Sequence, residues 1–177
     1  MVMESIRRTL SNKKGSTYVY LIIIIVIFLG ISALVLDFSN VYIKAKKIKH
    51  AVNRSVKAST LQIQTGDSLA DGIFLIDETK AEEAFEQILA HNLGLNPASL
   101  EPLSKSLVYE KPTIREFHVE NTFPANYYSP TLNNTFQLEN PSVVAVLEFE
   151  IRGVLIRRTL RVSKLSSSQL ISVYDIN

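Results

Sequence analysis

The sequence predicts an α+β fold, in which a long N-terminal helix precedes a small domain built from one further helix and an antiparallel β-sheet. Residues 18–36 form an apolar run without a charged residue, and apolar residues then recur at helical spacing as far as residue 63. Residues 143–152 instead alternate between apolar and polar, which is typical of a strand. We therefore divide the 177 residues into a basic leader-like segment 1–15, a transmembrane helix 16–36, its amphipathic continuation 37–65 and a domain 66–177.

The apolar run, YVYLIIIIVIFLGISALVL, is long enough to cross a bilayer. A hydrocarbon core roughly 30 Å thick requires about 20 apolar residues in a helix. A cleaved secretory signal is the alternative, but such signals have shorter apolar cores and a small-residue cleavage site. We expect a single-pass anchor with membrane lipid as its first partner, and Tyr18, Tyr20 and Tyr42 as aromatic anchors at the two interfaces.

The helical pattern continues past the membrane edge, with lysines on the opposite face. Its apolar positions, mostly three and four residues apart, are Phe38, Val41, Tyr42, Ala45, Ile48, Val52, Val56 and Ile63. No proline interrupts residues 16–63, so we predict one continuous helix over that range that stops near Gly66 and Asp67. The apolar stripe of its second half must be buried against another element.

A second helix is predicted between Asp77 and Gly94. Asp77 or Thr79 can cap its N-terminus, and Gly94 suits the left-handed position that follows a helix. Acidic residues follow the cap, and an apolar face is formed by Ala81, Ala84, Phe85, Ile88 and Leu89. Residues 97–112 are interrupted by prolines and are expected to be irregular, with a short strand at 106–109.

The last third of the chain predicts the sheet. Arg115, Phe117 and Val119 alternate with acidic residues and a histidine, residues 143–152 form the clearest strand, and 156–164 repeat the alternation after Gly153. The latter two are expected to pair as an antiparallel hairpin, with an edge strand at 170–176. Residues 121–141, rich in Asn, Pro and Tyr, are expected to form an irregular loop and an exposed contact surface.

Charge is distributed unevenly along the chain. Residues 1–14 carry +3, residues 37–64 carry +5 and residues 65–177 carry −6. Basic residues at both membrane faces fit anionic headgroups, and we expect the basic segment 44–57 to hold the chain at the lipid surface. An acidic domain argues against nucleic acid as a partner. The positive-inside count by itself favours a cytoplasmic domain, so orientation must come from another argument.

Sites for chemistry are not indicated. The chain contains no cysteine and only six glycines, which excludes disulfides and thiolate metal sites, and no glycine-rich phosphate loop occurs. His50, His91 and His118 lie on different elements without acidic residues at metal-ligand spacing. We predict no enzyme, no metal, no cofactor and no small-molecule substrate.

The first third of the chain resembles the N-terminal region of TadE/TadG-like proteins, which are associated with assembly of tight-adherence (Flp) pili. The resemblance is carried by Lys13, Lys14 and Gly15 before the apolar run, by the stretch LVLDFSNVY at residues 34–42 and by a continuing helix. Matching positions in that helix are Lys44, Lys47, His50, Ala51, Asn53, Ser55, Val56, Lys57 and Ala58. The resemblance implies a pilin-like fold, and partners among other pilin-like or pilus-assembly proteins.

The resemblance also implies an orientation and a processing site. The N-terminus would be cytoplasmic and the domain extracytoplasmic, which is the usual arrangement of a short tail ahead of an exported domain. Prepilin-type processing would cut between Gly15 and Ser16 and would make a prepilin peptidase a partner. Tyr20 stands where many such signals carry glutamate, so cleaved and intact N-termini both stay open. A single-pass anchor displaying an interaction domain outside any filament is the alternative function.

Three further positions are singled out around the membrane segment. Gly30 and Ala33 could allow close helix–helix packing between subunits, although such a pair is common in membrane helices. Asp37, where the helix leaves the membrane, could pair with a basic group of a neighbouring subunit. The simpler expectation is an aspartate facing water, because burying an unpaired charge is costly.

Overall fold

A computed structural model describes residues 13–65, 74–153 and 157–167 of the chain. Within these residues there are two helices, α1 at Lys13–Thr60 and α2 at Glu78–Leu93. The five strands are β1 at Thr113–Glu120, β2 at Ala125–Ser129, β3 at Asn134–Leu138, β4 at Ser142–Arg152 and β5 at Arg157–Ser167. A long apolar N-terminal helix followed by a small α+β domain is therefore confirmed.

Helix α1 is one unbroken element of 48 residues. At ~1.5 Å per residue its length is about 72 Å. It ends at Thr60, slightly before the predicted end, because the chain then pairs in an extended form with the segment that leads into α2. The amide of Asp77 donates to the carbonyl of Gln62 at 2.7 Å, and Ile63 forms a bridge with Ile76. The predicted stop at Gly66 and Asp67 lies outside the described residues.

The second half of α1 buries one stripe, as predicted. Its fully or nearly buried apolar residues are Val41, Ile48, Ala51, Val52 and Val56, and its polar members are Asp37, Ser55, Ser59 and Thr60. Ser55 and Ser59 donate their hydroxyls to carbonyls four residues earlier, so these polar groups are satisfied within the helix. The stripe packs against α2 and against strands β4 and β5. The assignment of Phe38 and Tyr42 to this stripe is wrong, because they are 51% and 72% exposed.

Helix α2 has the predicted boundaries and caps. The Asp77 carboxylate accepts from the amide of Lys80, and Gly94 adopts φ 72°, the left-handed conformation. Residues 97–112 are irregular as predicted, but the short strand predicted at 106–109 is not formed. Instead the Ser106 hydroxyl and the Leu107 amide both donate to the carbonyl of Leu93, at 3.0 Å each. This segment therefore supplies hydrogen-bond donors to a free carbonyl at the C-terminus of α2 and does not add a strand to the sheet.

Three strands form an antiparallel sheet in the order β1-β4-β5, with β4 in the centre. The predicted β4–β5 hairpin is confirmed, with Ser142 opposite Ser167 and Arg152 opposite Arg157. Residues 154–156 and the edge strand predicted at 170–176 lie outside the described residues. The register of β1 shifts between Ile114 and Glu116. This bulge removes Arg115 from the predicted alternation with Phe117 and Val119, and Ile114 packs against the core in its place.

The main core lies between the helices and one face of the sheet. From β4 it receives the predicted alternating set, Val143, Ala145, Leu147, Phe149 and Ile151, all with at most 2% exposure. From α2 it receives Ala81, Phe85, Leu89, Ala90 and Leu93. The rings of Phe85 and Phe117 lie 5.0 Å apart between centroids, which joins α2 to β1.

A second, two-stranded sheet occupies residues that were predicted to be an irregular loop. Strands β2 and β3 pair from Ala125 with Leu138 to Ser129 with Asn134. The polar, proline-containing sequence gives a weak strand signal, and no Asn-Gly or Asp-Gly turn marks the hairpin. Its turn is instead organised by a side chain of β1, Glu116, which lies outside the segment itself.

Candidate functional site

The first half of α1 exposes its apolar side chains on every side. Over residues 20–36 all large apolar side chains are exposed, by 44% to 67%. No other helix in the described part of the chain is both long and apolar enough to cross a membrane. A contiguous apolar surface of this size is typical of a part that meets lipid or another protein rather than water. The predicted anchor thus has the length and the exposure that it requires.

Gly30 and Ala33 lie within this exposed region. A Cβ added at Gly30 would meet no atom within 4 Å, so nothing in the described domain covers that side of the helix. Contact between helices of neighbouring subunits through Gly30 and Ala33 stays a prediction.

The domain begins where the predicted membrane segment ends. Asp37, expected to face water, is only 3% exposed, so that expectation is wrong. Its carboxylate lies against Gly153, where an added Cβ would be 2.7 Å from both Cγ and Oδ2. Gly153 follows β4 directly, and its lack of a side chain permits this approach. Asp37 is therefore buried within its own chain, where the sheet meets the helix.

About two turns further along α1, a second contact holds the same strand end. The Lys44 ammonium donates to the carbonyl of Arg152 at 2.9 Å. The Arg152 guanidinium lies 3.6 Å from the ring centroid of Tyr109 and also pairs with Glu150 and Glu110. These contacts fix the end of the β4–β5 hairpin beside the point where the helix would leave the membrane.

Tyr42 lies beside this junction but does not take part in it. Its ring is 72% exposed, as is that of Tyr18 at the other end of the apolar run. Exposed aromatic rings at these two levels fit interfacial anchoring, which stays a prediction. The predicted processing site, Gly15 and Ser16, belongs to the backbone of α1, and the side chains there lie outside the described residues.

An open groove of about 370 Å³ lies between the second half of α1 and the end of α2. Lys47, His50 and Arg54 line it from α1, and Asn92 and Leu107 line the other side. The three basic residues are spaced three and four apart, which places them on one face of the helix. We refer to this feature as the basic groove. The sequence indicated the basic face but not its partner wall, because Asn92 and Leu107 carry no charge or motif.

Glu116 is a strongly hydrogen-bonded carboxylate that the sequence did not single out. It accepts from the Ser129 hydroxyl at 2.7 Å, the Thr131 amide at 2.6 Å and the Tyr127 hydroxyl at 3.2 Å. Burial alone would raise its pKa, but the hydrogen bonds from Thr131 and Ser129 outweigh burial and hold the pKa below the ordinary value. Burial, together with the negative Glu116, raises the pKa of Tyr127. The carboxylate is thus occupied in fixing the hairpin.

The histidines remain separate. His118 stacks on Tyr127 at 4.7 Å between centroids, while His50 lines the basic groove and His91 is exposed near the end of α2. Within residues 13–65, 74–153 and 157–167, no three His, Asp or Glu residues form a group that could hold a metal ion.

The chain was compared with protein-family models, curated proteins and solved structures, and none of them matched.

Proposed function

We propose that this chain is a membrane-anchored, pilin-like subunit that acts by helix packing and protein–protein contact in a tight-adherence (Flp) pilus or a related surface-filament assembly system. The observation that carries the proposal is the division of α1, whose first half exposes an apolar surface and whose second half is the spine of the domain. A single helix that is both anchor and core element couples the fold of the domain to its position in the membrane.

Anchoring is the first part of this function. The apolar half of α1 would hold the subunit in the bilayer, with the N-terminus cytoplasmic and the domain extracytoplasmic. The contacts of Asp37 with Gly153 and of Lys44 with Arg152 begin immediately after the apolar run. Little free linker is left between membrane and domain, so the domain would move as one body with its anchor.

Assembly is the second part. In a bilayer, lipid tails and neighbouring helices are equally apolar, so close packing rather than hydrophobicity decides helix association. The exposed Gly30 and Ala33 offer a flat side for such packing. Lateral contacts between spans could therefore replace lipid contacts when subunits leave the membrane for a filament.

The alternative, an anchored interaction module outside any filament, would leave the amphipathic half of α1 lying on the lipid surface. The burial of Ile48, Val52 and Val56 in the domain core disfavours that arrangement, because these residues are 0% exposed. A rod that packs into its own domain favours the filament-type subunit.

The proposal is tested in cells that contain a tight-adherence secretion system and its prepilin peptidase. We expect the full chain in the membrane fraction, its domain digested by protease added outside, and co-purification with sheared filaments. Replacing Gly30 and Ala33 by leucine should leave membrane insertion intact and reduce the filament-associated fraction. A domain protected from external protease, or a chain absent from filaments and unaffected by these substitutions, would contradict the proposal.

Processing is measured separately in the same cells. Mass spectrometry of the mature N-terminus should show Ser16 as the first residue if the Gly15–Ser16 bond is cut. An intact Met1 terminus would remove the prepilin peptidase as a partner while leaving the anchoring claim in place.

A further inference from the structure

The outer faces of the two helices carry opposite charges. The exposed basic side chains of α1 beyond the membrane exit are Lys46, Lys47, Lys49, His50, Arg54 and Lys57. On α2, Glu78, Glu82 and Glu83 are exposed and Glu86 is half-buried. Among the described residues, none of these groups forms an ion pair. Each helix thus presents a charged surface that the described part of the domain does not pair.

Lipid headgroups do not reach most of the basic face. Lys47 lies 11 residues beyond Leu36 and Arg54 lies 18 residues beyond it, which places them about 16 and 27 Å along the helix. The headgroup zone extends only about 5–8 Å beyond the hydrocarbon core on each side. Attraction beyond it fades over a Debye length of about 8 Å at physiological salt. The expectation that the whole basic segment is held by lipid therefore does not extend to the basic groove.

The acidic face lies at a different level from the basic groove. Because Asp77 is bonded to Gln62 and Asn92 borders the groove, α2 runs back along α1 towards the membrane. Glu83 precedes Asn92 by nine residues, so it lies about 14 Å further from the membrane than the groove wall. If two copies stand at equal depth in the membrane, the acidic face of one therefore lies above the basic groove of the other, and the opposite charges do not meet.

We infer that the basic groove binds the acidic face of α2 from a second copy of this chain, displaced by about 14 Å along the helix axis. This inference rests on the proposed function, and it names the partner surface within it. The groove supplies Lys47, His50 and Arg54, and the second copy supplies Glu82 and Glu83. The two surfaces match in charge, and complementary charge fixes register and partner choice.

The contact has a consequence for assembly. It joins two different surfaces, so in a pair one copy keeps its basic groove free and the other keeps its acidic face free, and the contact can repeat head to tail into an open filament. The displacement also requires one subunit to be raised in the membrane relative to the other. Two subunits held at equal depth in a bilayer should form the contact poorly.

The test uses the full chain in detergent micelles, where depth is not fixed, and exploits the absence of native cysteine. One variant carries Ile43→Cys, at an exposed position one turn before Lys47 on the same face of α1, and the other carries Gln87→Cys, one turn beyond Glu83 on α2. Neither substitution alters a charge. Gln137→Cys, at an exposed position of β3, replaces Gln87→Cys as the matched control. We expect a disulfide-linked dimer between the Ile43→Cys and Gln87→Cys variants, at a yield several times that with the Gln137→Cys control.

Charge reversal then separates specific pairing from misfolding. Lys47→Glu with Arg54→Glu should lower the yield roughly tenfold, as should Glu82→Lys with Glu83→Lys, because like charges would face each other. Combining the two reversed surfaces in one mixture should restore the yield. Glu139→Lys, at an exposed position on the connection from β3 to β4, should leave the yield unchanged.

Three results would overturn the inference. The first is equal cross-linking to Gln87→Cys and Gln137→Cys. The second is no recovery of cross-linking when the reversed groove and the reversed acidic face are mixed. The third is an undiminished yield of cross-linked dimer in phosphatidylcholine vesicles, where the depth of each subunit is fixed. Protection of the groove lysine from acetylation by added phosphatidylglycerol, without cross-linking, would assign the groove to lipid instead. Cross-linking in micelles with no filament association in cells would contradict only the proposed function. Filament association in cells with no cross-linking in micelles would contradict only this inference.

Discussion

The two faces of β4 are covered in different ways. On one face Val143, Leu147 and Phe149 are buried by the helices, in a core that is almost entirely apolar. On the other face Val144 and Val146 are equally buried, but their neighbours across the pairing with β1 are His118 and Glu116. These two polar residues bind the β2–β3 hairpin through a ring stack and three hydrogen bonds.

The difference shows two ways of covering the faces of a small sheet. The helix side is held by burial of apolar area, which is non-directional and additive over many residues. The hairpin side is held by few, directional bonds to one ionised carboxylate, each stronger than a bond between neutral groups. We therefore expect substitutions on the helix side to destabilise the whole domain and substitutions on the hairpin side to open only the β2–β3 hairpin. Four experiments test that contrast.

The largest effect is expected from Phe85→Ala on the helix side. Phe85 is 0% exposed and contacts Phe117, so its truncation should lower the free energy of unfolding by about 3–5 kcal/mol. Denaturant unfolding of the full chain in micelles, followed by near-ultraviolet circular dichroism, measures the loss. The control Leu103→Ala, at a side chain 54% exposed, should change it by under about 0.5 kcal/mol. A loss under about 1 kcal/mol for Phe85→Ala would contradict the assignment of the core.

Glu116→Gln should act on the hairpin side alone. The amide keeps one oxygen but loses the charge that strengthens the bonds from Ser129 and Thr131. We expect opening of residues 125–138 to become about 2–3 kcal/mol easier, while β4 stays protected. Hydrogen exchange of backbone amides measures both regions in one sample. Glu139→Gln is the matched control, and equal loss of protection in β4 would show that the two sides are not independent.

Gly153→Ala tests the contact between Gly153 and Asp37, a buried polar residue on the otherwise apolar helix side. The added methyl would overlap the Asp37 carboxylate, so we expect a loss of about 1–3 kcal/mol in stability. Adding Asp37→Ala to this variant should recover part of the loss, because the obstacle is then removed. A double-mutant cycle on the unfolding free energy measures the coupling. Strictly additive effects would mean that the two residues do not meet.

The smallest effect is the pH dependence of the hairpin. Because the pKa of Glu116 is lowered in the fold, its contribution is present above its unfolded pKa and is lost as pH falls through the lower, folded value. The raised pKa of Tyr127 acts at the other end, where its contribution is lost as pH rises above the ordinary value of 10.0. Protection of residues 125–138 should thus decline in acid, and Glu116→Gln should remove that decline. An acid decline that persists in Glu116→Gln would assign it to another carboxylate.

Much of the fold follows from the sequence by itself. The long α1, the caps of α2 at Asp77 and Gly94, and the β4–β5 hairpin were all predicted from spacing and from residues within a few positions of each element. These signals are local, because hydrophobic periodicity and capping act over one or two turns or along one strand. The apolar run is likewise plain from composition, and the described part of the domain does not cover it.

Only the tertiary structure decided the features that join distant parts of the chain. Asp37 is buried because the end of β4 arrives beside it with a glycine, and residues 125–138 form strands because Glu116 accepts the hydrogen bonds of their turn. The basic groove exists because α2 folds back beside α1. Each case depends on a contact between residues far apart in sequence, and no local pattern records which partner a side chain will meet.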